Sequence, residues 1–260
     1  MTDTYLRVSM LNRDYSKTIE TLSQDAQVSR ATDNYLEKIR DIKSIDDFLD
    51  DYEIYSYAMK AMGLEDMIYA KAYMRKVLEE GISNSDSFAN KLTDTRFKEF
   101  ATVFNFASHG EATTSFEKAQ QGVVDKYLEQ TLEIREGEEN TGVQLALYFQ
   151  KKASTITSSM ELLGDKALAE VARTISGIPS EAAGADIDWL SEAISSKIDI
   201  DQLSDPDYVQ ELVQRFSVLY DLENGTTMAS VPNVLISSSS VIGMDEDLLL
   251  SLQGLQLGGI

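Results

Sequence analysis

Few residues of this 260-residue chain could carry chemistry. The one histidine, His109, stands beside Gly110 just after an aromatic stretch. A metal site or a nucleophilic triad needs partners that its surroundings do not announce, so it reads as a loop or capping histidine. Asp46, Asp47, Asp50, Asp51 and Glu53 form a carboxylate cluster. A calcium loop needs alternating ligands around a turn-forming glycine, which this stretch lacks, so the cluster reads as a solvated helix-terminal face. Phosphate loops, dinucleotide fingerprints, nucleophile elbows and paired-histidine zinc motifs do not occur. The absence of cysteine excludes thiolate nucleophiles, thiolate metal sites and disulfides. No catalytic, cofactor-binding or metal-binding residue is assigned, and the expectation is a protein that is not an enzyme.

Recognition chemistry is the alternative. Tyr52, Tyr55, Tyr57, Tyr69 and Tyr73 could form a binding surface, since tyrosine is enriched at interfaces. Their helical spacing beside Met59, Met62 and Met67 assigns them to packing instead. Arg75 and Arg96 are cations in a chain poor in them; each reads as a structural residue that pairs with an acid or caps helix carbonyls. Asn224-Gly225-Thr226 matches a glycosylation sequon and equally a turn, and the turn is the better reading.

With Lys plus Arg at 23 against Asp plus Glu at 44, the formal charge of −21 repels nucleic-acid backbones and anionic membrane surfaces. The first residues lack a basic region followed by an apolar core, so no secretory signal is expected. No apolar run approaches the ~18 residues needed to span a bilayer. These features suit the cytosol and equally export by a route without a cleavable signal.

The elements that must position these residues are helices. Only Pro179, Pro206 and Pro232 occur, so helix extension is unpunctured over the first 178 residues. Tyr5, Val8, Leu11, Tyr15, Ile19, Leu22 and Ala26 recur at three or four and predict one long helix, and a second is expected over Thr32 to Lys43. Ser44 begins the stretch to Phe106 as an N-cap with Asp47 three residues on, and Gly63 and Gly81 supply stops. Asp94 is placed to cap a helix bearing Phe97, Phe100, Val103 and Phe104. Further helices are expected over Ser115 to Arg135, broken by the polar segment Glu136 to Asn140, then Val143 to Ser158, Asp165 to Ser176, Asp186 to Lys197 and Asp205 to Asp221. The fold class is all-α.

The two halves look alike. Leu92-Thr93-Asp94-Thr95-Arg96-Phe97 parallels Leu203-Ser204-Asp205-Pro206-Asp207-Tyr208, and Met62-Gly63 parallels Leu163-Gly164. Each glycine is followed by an alanine-containing helix that ends at Gly81 or Gly177. Two similar repeats packed as one globular unit are expected: an N-terminal helical segment (1–43), a first repeat (44–110), a connecting helix with the second repeat (111–221) and a flexible tail (222–260). No Lys or Arg follows Arg215, and Asp245-Glu246-Asp247 precedes Leu248, Leu249, Leu252 and Leu255, an acid-led amphipathic helix. The helices near the two ends are the expected partner-binding elements, through Tyr5, Tyr15 and Leu22 at one and Leu248, Leu249, Leu252 and Leu255 at the other.

SIDDFLDD, YAMKAMGLEDMIYAKAYMRKVLEEG and SFANKLTDTRFKEFATVFNF together resemble an uncharacterised alphaproteobacterial domain-of-unknown-function family whose genes often lie in flagellar gene clusters. The resemblance implies a duplicated multihelical fold and an association with flagella, and it carries no catalytic residues. The expectation is a flagellum-associated accessory or axial protein acting through helix-mediated protein contacts, in the cytoplasm or exported to the flagellum. The alternative is a cytoplasmic binding module that regulates or chaperones flagellar assembly.

Overall fold

Aspartates divide what the apolar stripe joins. The computed structural model describes residues 3–224, and every regular element among them is helical. Where one helix was expected from Tyr5 to Ala26 there are two, α1 (Thr4–Arg13) and α2 (Tyr15–Ser23), followed by α3 (Ala26–Lys38), which the expected second helix enters part-way. Asp14 leaves the helical region at φ −121°, and Asp25 caps α3 by accepting from the amides of Gln27 (3.0 Å) and Val28 (3.3 Å). A carboxylate that satisfies the next turn's amides competes with helix continuation, and the apolar period does not register it. Asp51 does the same between α4 (Ile45–Asp50) and α5 (Tyr52–Ala61), accepting from Glu53 and Ile54. Ser44 and Asp47 form the expected capping box at the start of α4.

Gly63 and Gly81 both take positive φ, +67° and +61°, where a side chain would be strained. Gly81 closes α6 (Lys71–Glu80), and α7 (Phe88–Lys91), α8 (Thr95–Val103) and α9 (Phe106–His109) complete this part of the chain. Asp94 caps α8 as expected. The aromatic residues of the Ser44 to Phe106 stretch make its core. The Phe48 ring lies 4.6 Å from that of Phe104 and 5.9 Å from that of Phe106, with Tyr55 edge-on at 6.0 Å.

The remaining helices are α10 (Gln121–Glu139), α11 (Thr141–Lys152), α12 (Ser159–Gly164), α13 (Lys166–Ser176), α14 (Ile187–Ser195) and α15 (Pro206–Glu223). Several expected bounds move, among them that of Val143 to Ser158, where α11 ends at Lys152 and a turn over Ala153–Thr155 follows. The turns Gly110–Ser115 and Glu117–Ala119 replace the expected first turn of α10, and α10 runs through Glu136 instead of breaking there. Glu136 stands four residues after Leu132 and so continues the buried stripe. Its charge is met by Arg7, whose Nε and Nη2 donate to the two carboxylate oxygens at 2.7 and 2.5 Å. Asp165, Asp186 and Asp205 cap α13, α14 and α15, with Pro206 at the first position of α15.

All these helices pack as one unit. Helix α10 lies against α5 on one side and α11 on the other, and a stack of Tyr35, Tyr57 and Tyr127, with centroids 4.5 and 3.9 Å apart, ties α3, α5 and α10 together. Helix α1 packs on α11 and α15, so elements at opposite ends of the described chain are neighbours. The close approach of α11 rests on Gly142, where an added Cβ would stand 2.5 Å from the Tyr220 ring and 2.8 Å from the Thr4 hydroxyl. Along the stretches that look alike in sequence, Gly81 and Gly177 both close helices at positive φ, whereas Gly63 is positive and Gly164 ends α12 without it.

Candidate cleft between α1, α10, α11 and α15

Three apolar side chains form the floor of a cleft of ≈ 960 Å³: Val8 of α1, Leu132 of α10 and Leu147 of α11, all buried. They point together because each belongs to the inward stripe of its own helix. Asp221, near the end of α15, accepts from the Thr4 amide at 3.2 Å and the Tyr5 amide at 3.3 Å, which sets the start of α1 at the end of α15. Burial, the largest influence on Asp221, pushes its carboxyl up, but the Thr4 hydroxyl, Asp3 and the two amides hold it below the usual carboxylate range. From there α1 runs back along α15, and the two helices wall one side of the cleft with Asn12, Gln210 and Gln214.

The opposite wall is charged. Glu129 and Glu133 lie one turn apart on α10, and Lys151 of α11 is ion-paired with Glu133. Lys151 also donates to the Gln130 side chain at 3.3 Å and lies over the Tyr148 ring, 5.5 Å from its centre. The Glu133 side chain is only 6% exposed, and burial raises its carboxyl above the ordinary range although Lys151 opposes the shift. Tyr15 stands at the edge, its hydroxyl pushed up to about 12 by burial and then by the charges of Glu129 and Glu133.

Two of the expected partner-binding residues meet here. Tyr5 (42% exposed) and Tyr15 (36%) both line the cleft. Leu22 does not join them: it is 7% exposed on α2, which packs against α10, so its side chain belongs to the internal core. Leu248, Leu249, Leu252 and Leu255 lie outside the described residues. Glu129, Glu133 and Lys151 were missed in the sequence. A signal existed for Glu133, an acid directly after Leu132 in a helix buried on two sides.

The other residues singled out in the sequence are used locally. His109 is exposed, its ring edge-on to Phe116 at 5.0 Å. Arg96 binds Asp94 through two nitrogens and donates to the Gly63 carbonyl, while Arg75 pairs with Asp46 at 2.6 Å and with Glu79. Glu53 meets Lys38 at 2.8 Å, and Asp47 and Asp51 cap helices. Tyr55 and Tyr57 are buried and Tyr73 packs between Phe88 and Phe97, but Tyr52 and Tyr69 are exposed. Asn224 follows α15 and donates to the Tyr220 carbonyl; Gly225 and Thr226 lie outside the described residues. Among the described residues no group of three or more His, Cys, Asp or Glu side chains is arranged to hold a metal ion, and no helix is long and apolar enough to cross a membrane.

An all-helical unit with a cleft walled by its first and last described helices is the class of protein these observations define. Residues 61–209 match the family described as "Protein of unknown function (DUF1217)", and the chain belongs to that family. The crystal structure of protein AGR_C_984 from Agrobacterium tumefaciens is similar, with 45% identity, a TM-score of 0.78, and coverage of 85% of this chain and 94% of that one. No curated protein matches the chain.

Proposed function

We propose that the protein is a non-enzymatic, flagellum-associated accessory or axial component that acts by docking a helical segment of another protein in the cleft between α1, α10, α11 and α15. The observation that carries the docking reading is the cleft, with an apolar floor, a polar rim and Tyr5 and Tyr15 at its edge. That is the anatomy of a helix-in-groove site, in which apolar anchors set affinity and the rim sets orientation. The flagellar part rests on the family resemblance of the Ser44 to Phe106 stretch.

A tagged chain expressed in a flagellated alphaproteobacterium tests both parts. Sheared flagella or the culture medium are expected to contain the wild-type protein, and a Tyr5→Ala, Tyr15→Ala double variant is expected to lose its flagellar partners in a pull-down while keeping its helical spectrum. Strict retention in the cytosol with partners still bound would favour the regulator or chaperone reading. Equal recovery of partners by the double variant would remove the cleft from the proposal.

A further inference from the structure

We infer that the cleft accepts an amphipathic helical segment of a partner protein that carries lysine or arginine, with its apolar side chains on Val8, Leu132 and Leu147 and its cation between Glu129 and Glu133. This deepens the docking reading above and rests on it.

Charge accounting within the cleft points to the cation. Tyr5 and Arg13 of α1, Tyr15 of α2, Glu129 and Glu133 of α10 and Lys151 of α11 are the ionisable groups that line it, and α15 adds none. Arg13 is turned toward Asp14, at 3.4 Å. Lys151 is held by Glu133, Gln130 and the Tyr148 ring. Among the described residues Glu129 has no ion-pair partner, so the wall carries an uncompensated carboxylate one turn from a buried one. Burial raises the Glu133 carboxyl against Lys151 and, more weakly, Lys152, and the charge of Glu129 adds to the rise. A second cation at this wall would compensate both groups.

The shape points to a helix. Between Tyr5 and Arg13 the α1 wall runs for about 12 Å, roughly two turns of a docked helix. The amides of Gln150, Gln210 and Gln214 line the cleft, and among the described residues none is engaged in a hydrogen bond, so they remain available to a ligand's polar side chains. The net charge of −21 would draw a basic segment in and repel an acidic one. It also disfavours two other occupants. A second copy would bring another net charge of −21, and the part of the chain after Arg215 has no Lys or Arg to supply the cation.

The test uses the full chain and two labelled peptides of about three helical turns, with identical leucine spacing and either lysine or glutamate at the other positions. Fluorescence anisotropy is expected to show binding of the lysine peptide and not of the glutamate peptide. Glu129→Gln is expected to weaken the lysine peptide about tenfold, the scale of one charge-assisted contact. Glu192→Gln, on exposed positions of α14 away from the cleft, should leave binding unchanged. Equal weakening by both substitutions would mean diffuse attraction to an acidic protein and would overturn the inference. Equal binding of the two peptides, lost in the Tyr5→Ala, Tyr15→Ala variant, would overturn the basic partner and leave cleft docking standing. Binding of either peptide that the double variant retains would count against the cleft itself, as would sedimentation showing a dimer that the lysine peptide cannot open.

Discussion

The two halves of α10 meet carboxylates of different burial, a half-buried one and a nearly fully buried one. Beside the first half, Glu99 of α8 is met by Lys126 and also by Lys152 at 3.2 Å. Burial pushes Glu99 up, but the two lysines outweigh it and hold the carboxyl below the ordinary range. In the second half, Glu133 is ion-paired with Lys151 and feels Lys152 more weakly, and burial still wins. The same half-helix that carries Lys126 also buries Tyr127 in the tyrosine stack, so that face is closed. The face carrying Glu133 opens on the cleft. Deeper burial, with one ion-paired lysine in place of two, separates the raised Glu133 from the lowered Glu99.

The largest way to break this contrast is Tyr57→Ala, which removes the middle ring of the stack. Chemical denaturation should report a loss of about 3 to 5 kcal/mol, with the closed face affected and peptide binding in the surviving folded fraction unchanged. Next is Gly142→Ala, whose methyl would meet Tyr220 and Thr4 where α11 meets α15 and α1. A melting experiment should show a loss of roughly 1 to 3 kcal/mol, and no loss would mean that α1 and α15 separate easily.

Glu99→Gln is expected to cost about 1 kcal/mol at neutral pH, after allowance for its partial exposure. Because the Glu99 carboxyl is lowered on folding, its contribution is present above the unfolded value of about 4.3 and is lost as pH falls through the lower folded value. Glu133 has the opposite sign. Its raised carboxyl favours the folded state most below about 4.3, and that advantage is lost as pH rises through the folded value. Stability curves of Glu99→Gln and Glu133→Gln against pH should therefore diverge from wild type in opposite senses, and parallel curves would erase the distinction. The smallest effect belongs to Tyr15→Phe, less than about 0.5 kcal/mol. Ultraviolet titration should lose a phenol that ionises at about 12, and loss of one that ionises near the ordinary value of about 10 would place Tyr15 in water instead of at the cleft edge.

Local signals in the chain were legible where one residue decides the backbone. Ser44 with Asp47, Asp94, Asp165, Asp186 and Pro206 began helices, and Gly63, Gly81 and Gly177 stopped them. Asp14 and Asp25 were passed over because the apolar period continues across them, and periodicity measures a face without testing whether one helix carries it; Asp51 was read as part of a helix-terminal face but not as the cap of a new helix. Glu136 failed in the other direction: its polarity argued for a break, whereas Arg7, 129 residues away, makes it a continuation. The cleft was half visible. Tyr5 and Tyr15 could be marked as partner-facing by type and place, but α10, α11 and α15 meet them only through tertiary packing, so Glu129, Glu133 and Lys151 had no local signal linking them to the two tyrosines.

The bond from the Thr4 amide to Asp221 spans 217 residues of chain. During synthesis, then, α1 emerges first and waits, because the helix that caps its amides and the Tyr220 ring that fits over Gly142 are among the last described residues to appear. The closed half of α10, built from nearer neighbours, can form well before that. Contacts of such separation are late and slow to close. The wall of the cleft is thus among the last of the described parts to be completed, and until then Val8 and Leu11 of α1 lack the cover that α15 gives them.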